Sequence, residues 1–123
     1  MKIRTKKKTC QVEIIRDGET WVFEVDPLDP EQEEEIRRKH TEYNMVRGHV
    51  MPDPDFVAIK IETAQKVIKS WPCTDDDDKP IPCTDENKKT AWLLNSDLIN
   101  DVLSKAADIG TGRAKIKTEE KKI

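Results

Sequence analysis

The sequence predicts an α+β fold, an N-terminal β-hairpin packed on about four α-helices, with a mainly helical C-terminal half. Three observations carry this. Asp17-Gly18 lies between two runs of alternating apolar and polar residues, the strongest short-range hairpin signal. Two proline-led openings, Asp29-Pro30 and Pro52-Asp53-Pro54, suit helix starts, where proline's missing N–H costs nothing. Leu98, Ile99, Val102, Leu103, Ala106 and Ile109 recur at helical spacing and form a strong apolar stripe.

The hairpin is read over 9–25. A two-residue turn sets Arg16 opposite Glu19, Ile14 opposite Trp21, Val12 opposite Phe23 and Cys10 opposite Val25, all on one face. Gln11, Glu13, Thr20 and Glu24 make the other face mostly polar. A lone hairpin is marginal in water, so the apolar face must be covered.

Asp29 then caps a helix over about 30–47, with Gln32 completing a capping box. Its acidic first half and Arg37-Arg38-Lys39-His40 complement the helix dipole, and Glu33/Arg37, Glu34/Arg38 and Glu35/Lys39 are i,i+4 pairs. Ile36, Tyr43 and Val46 are its few apolar positions, so it should lie on the surface and end near Gly48.

A helix over about 54–70 follows, striped by Val57, Ile61, Ala64, Ile68 and Trp71 and ended by Trp71-Pro72. Phe56 to Ile61 also reads as a short strand, but the continuing stripe favours the helix. Residues 73–83 form a loop, Thr84 caps a helix over 85–94, and the last helix runs over 97–109. The stripes of Val57, Ile61 and Ile68 and of Leu98, Val102 and Ala106 should share one core with Val12, Ile14, Trp21 and Phe23. Residues 1–8 are a basic segment, and 110–123 a lysine-rich tail expected to be disordered.

With 123 residues, the chain suits one domain, and 35% hydrophobic against 38% charged residues implies a thin core under a charged surface. A net charge of −3 argues against nucleic acid as the main partner, and neither lysine cluster is interleaved with aromatics. The basic start has no apolar run behind it, so neither a secretory signal nor a membrane span is expected. Cys10, Cys73 and Cys83 lack framework spacing and fit a reducing compartment, which makes cytoplasm the expected location.

No catalytic, cofactor or metal residues are expected from the sequence. Cys73 and Cys83 form no Cys-x-x-Cys pair, and His40 and His49 lie elsewhere. Asp75 to Asp78 are consecutive without a glycine, unlike a calcium loop. Nucleophile elbow and phosphate loop are both missing. Protein binding remains, and Trp71, Ile81, Trp92 and Leu98 are the candidate partner-binding residues, with Trp92 expected to be the most exposed tryptophan.

One arrangement points further. A helix ends in Val67-Ile68-Lys69-Ser70-Trp71, an acidic turn follows, and Lys79-Pro80-Ile81-Pro82-Cys83-Thr84-Asp85-Glu86-Asn87-Lys88 leads into a leucine-bearing helix and a final amphipathic one. This resembles the tail assembly chaperones of long-tailed bacteriophages and prophages, in which a tryptophan, an Asp-Gly-x-Pro-x-Pro-like turn and a Thr-x-Glu-Asn helix start recur in this order. The resemblance covers about Phe56 to Ile109, and more loosely the opening hairpin and the Pro-led helix, and here aspartates replace the usual turn glycine. It implies a helper outside the virion that binds the tape-measure protein and recruits tail-tube subunits in the bacterial cytoplasm. Self-association and a frameshifted longer form are further implications. A structural tail or head–tail joining protein and a small regulatory nucleic-acid-binding protein stay open as alternatives.

Overall fold

A computed structural model describes residues 9–110. The basic segment 1–8 and the tail beyond Gly110 lie outside the described residues. Strands β1 (Cys10–Arg16) and β2 (Glu19–Val25) form the expected hairpin, in the expected register from Cys10↔Val25 to Arg16↔Glu19. Asp17 and Gly18 turn the chain at φ 52° and 78°, the left-handed pair that a type I′ turn requires.

Helix α1 (Pro30–Lys39) starts as predicted. The Gln32 N–H donates to Asp29 Oδ1 at 2.8 Å, and the Asp29 N–H donates to Gln32 Oε1 at 3.2 Å. Of the three predicted ion pairs, Glu34–Arg38 forms at 3.9 Å, beside a tighter Glu34–Arg37 pair, while Lys39 turns to Glu62.

The helix does not continue to 47. It ends at Lys39, and β3 (Thr41–Val46) and β4 (His49–Pro54) form a second antiparallel hairpin. Thr41 marks the break: its hydroxyl donates back to the Arg37 carbonyl, and its β-branched side chain is buried. Arg47 and Gly48 then adopt φ 52° and 77°, another type I′ pair, in which a helix cannot proceed. Alternation of Thr41, Tyr43 and Met45 was the missed signal.

Helix α2 (Phe56–Val67) is capped by Asp55, one residue past the expected proline. It also stops short of Ser70, because Ile68–Ser70 become β5, paired antiparallel with the end of β2. The Asp26 N–H donates to the Val67 carbonyl at 2.8 Å at this junction. The main sheet is therefore three-stranded, in the order β1-β2-β5. Helices α3 (Asp85–Leu94) and α4 (Ser96–Gly110) complete the fold, the latter taking in Gly110, which the tail prediction had included.

One core unites Val12, Ile14, Phe23 and Val25 of the hairpin with Ala64, Val67 and Ile68 and with Ile99, Val102, Leu103 and Ala106 of α4. The predicted α2 stripe is shifted. Ala64 and Ile68 are buried, Ile61 is half-buried, and Val57 is 48% exposed. Trp21 is half-buried at the margin of this core. Ile36 is buried on α1, which packs on α2.

The aspartate loop is ordered by its first member. Asp75 Oδ1 accepts from the N–H groups of Asp77 at 2.8 Å and Lys79 at 3.0 Å, and its own N–H donates to the Lys79 carbonyl at 2.9 Å. Asp78 is left at φ 60°. An L-residue there costs about 1–2 kcal/mol, which glycine avoids at some entropic expense. Asp78→Gly is therefore expected to stabilise the domain by about 0.5–1 kcal/mol, read as a rise in the urea midpoint. No rise would mean the loop relaxes freely around Asp78.

Candidate apolar cleft

Three of the four candidate residues meet in one cleft of about 430 Å³, lined by Trp71, Ile81 and Leu98 together with Trp21, Ala91 and Leu94. Each wall has a local cause. Trp71 follows β5, and its indole N–H donates to the Ile81 carbonyl at 2.7 Å, which pins the far side of the loop against the ring. The Ile81 N–H in turn donates to the Cys73 carbonyl at 3.0 Å. Thr84 caps α3 by accepting from the Asn87 N–H at 3.2 Å, and Asn87 Nδ2 donates to the Pro82 carbonyl at 2.9 Å. These bonds fix the loop to the helix start, so that Asn87, Thr90, Ala91 and Leu94 line the cleft from one face of α3.

Asp75 and Asp76 stand at the rim. The cleft thus offers aromatic and aliphatic surface with a negative edge.

Trp92 is not among the lining residues. Like Trp21 and Trp71 it is half-buried; it packs against the core, and its indole N–H reaches Asn100 Oδ1 at 3.4 Å. The exposed neighbours are Leu93 and Leu94, at 53% and 77%. Leu94 and Trp21 were missed as cleft residues. Leu94 was detectable, since it lies on the helical face of Asn87, Thr90 and Ala91. Trp21 was not, because only the chain's return at β5 brings Trp71 and the loop beside it.

The cysteines near the cleft are free and half-buried. Burial pushes the Cys73 thiol up to about 11, and Cys83 is also raised by burial, against the pull of the Lys88 ammonium. Neither is a thiolate at neutral pH. Lys88 is itself buried; its ammonium donates to the Gln65 carbonyl at 3.0 Å and lies 3.7 Å from Asp85, tying α3 to α2. No group of three or more His, Cys, Asp or Glu among the described residues is placed to hold a metal ion. No helix among them is long and apolar enough to cross a membrane.

A second, polar cluster joins α1 to α2. The Glu62 carboxylate, 13% exposed, meets Lys39 at 2.8 Å, His40 at 3.0 Å and Lys66 at 3.6 Å. The Lys39 hydrogen bond, then that of His40, holds it below the usual carboxylate range against the opposing effect of burial. A depressed folded value means the stabilisation is present above the unfolded value of about 4.3 and is lost as pH falls through the folded one. Glu62→Gln should lower the urea midpoint at pH 7, and the gap to the unsubstituted protein should close below about pH 4. A gap that is constant with pH would assign the loss to packing alone.

No family model, no curated protein and no solved structure matches this chain.

Proposed function

We propose that this chain is a non-enzymatic assembly chaperone of the phage-tail type, acting in the bacterial cytoplasm. It holds an apolar segment of the tape-measure protein and recruits tail-tube subunits to it. The observation that carries the reading is the cleft, which gathers Trp71, Ile81 and Leu98 from a strand end, a loop and a helix onto one surface. An amphipathic helix laid in such a groove anchors through apolar residues spaced three or four apart. The acidic rim favours a segment carrying lysine or arginine beside those anchors.

Asp78 adds support. It stands two residues before Pro80, where the resembled motif has its turn glycine, and it adopts φ 60°, a conformation that favours glycine.

Co-expression with the tape-measure protein of the same genome tests the reading. A soluble complex that co-purifies is expected. A tape-measure protein that stays insoluble and unbound would sink it. Mass spectrometry of purified virions should find the chain missing from mature particles, and stoichiometric amounts there would instead favour a structural tail or joining protein.

A further inference from the structure

We propose that two copies of this chain pair through β3, edge to edge and antiparallel, to form a four-stranded ribbon. The inference starts from which backbone groups of the β3–β4 hairpin point outward. Beside a two-residue turn, Val46 and His49 exchange both ladder bonds, and every second pair does the same. The Asp55 N–H donating to the His40 carbonyl at 2.8 Å keeps this parity at the far end. Thr41, Tyr43 and Met45 of β3, and Val50, Pro52 and Pro54 of β4, therefore turn their backbone groups away from the ladder.

On β4 that edge is blunted, because Pro52 and Pro54 have no N–H to offer. The outer edge of the main sheet is guarded differently. Lys105 Nζ donates to the outward carbonyl of Glu13 on β1 at 2.9 Å. At the sheet's other edge β5 is only three residues long. The β3 edge has none of these devices. It carries no proline and no lysine, and among the described residues no backbone hydrogen bond reaches the outward groups of Tyr43 or Met45.

The hairpin also presents an uncovered apolar face. Tyr43, Met45, Val50 and Pro52 share one side, with Tyr43 57%, Met45 69% and Val50 62% exposed. A two-stranded hairpin standing off the body in this way is marginal, and two further strands would extend both ladder and face.

The sequence of β3 suits a second copy as the occupant. A two-fold axis through Asn44 sets Tyr43 opposite Met45 of the other copy and Glu42 opposite Val46, and joins the two apolar faces into one. No like charges oppose each other. The register that would set Glu42 against Glu42 also leaves Met45 without a partner from β3. Six-residue edges bury less than the roughly 1,600 Å² of a standard interface, so the dimer is weak and concentration-dependent. The pairing stands independently of the chaperone reading, since it uses the opposite hairpin and not the cleft.

Sedimentation equilibrium of the full chain tests it first. The mass should rise from monomer toward dimer with concentration, and Met45→Pro, which removes one outward N–H without touching the ladder to β4, should remain monomeric. A cysteine scan reads the register without relying on that variant. In a background with Cys10, Cys73 and Cys83 changed to serine, Asn44→Cys should form a disulfide dimer under oxidised glutathione, whereas Glu42→Cys should not. A mass that stays monomeric at the highest concentration, or equal cross-linking at 42 and 44, would overturn the proposal.

Discussion

Phe23→Ala is expected to destabilise the domain by about 3–5 kcal/mol, the usual cost of truncating a buried phenylalanine. Phe23 is 0% exposed and belongs to the cluster that joins the hairpin to α2, β5 and α4. A thin core gives the site few neighbours able to collapse into the space left behind. Small domains hold only about 5–15 kcal/mol in total, so the loss is a large share. Val22→Ala is the matched control, because Val22 is adjacent on the same strand but points to the other face and is 38% exposed. It should cost about 1 kcal/mol or less. Urea denaturation followed by circular dichroism compares the two. Equal shifts would mean that α4 does not cover the hairpin as described, since only the covered face can distinguish these neighbours.

The hairpin and the last two helices were legible because their local signals and their burial agree. Asp17-Gly18, the alternation around it and the β1–β2 register all demand the same turn. Thr84 with Asn87, and the stripe from Ile99 to Ala106, likewise coincide with observed caps and buried positions. The segment from Thr41 to Pro54 was not legible in the same way. Its charged approach, Arg37-Arg38-Lys39, is sound helix sequence, and its apolar residues face solvent, so no buried face disciplines the period. Arg47-Gly48 also lacks the Asn or Asp that usually announces a type I′ turn. Ile68 to Ser70 were lost for another reason. Their strand exists only because β2 offers a free edge there, a tertiary fact that a helical stripe running through Ala64 and Ile68 conceals.

The candidate cleft divides along the same line. Trp71, Ile81 and Leu98, singled out by residue type and motif, line one cleft although their sequence positions are far apart. Trp92 lies outside the cleft, and tryptophan content alone cannot give direction on a helix. Its side chain turns to the core and Asn100, and Leu94 takes the position at the cleft.

Leu94 is accordingly where binding should be most sensitive with least damage to the fold. At 77% exposure it contributes little to the core, so Leu94→Asp should change stability by about 0.5 kcal/mol or less beyond its penalty at a helix C-terminus. A partner segment seated in the cleft would bury that carboxylate beside Leu98 and Trp71, with Asp75 and Asp76 adding like charge from the rim. An unpaired buried carboxylate costs far more than lost packing, and a central interface residue is worth about 2 kcal/mol or more. Affinity for a tape-measure segment, measured by calorimetry, should then fall by roughly 30-fold or more. Leu93→Asp carries the same charge at the same helix end and meets the same dipole, but Leu93 does not line the cleft. It should keep affinity within a few-fold. A loss shared by both variants would trace to charge or to helix fraying, and a loss in neither would place the partner somewhere other than the Trp71–Leu98 cleft.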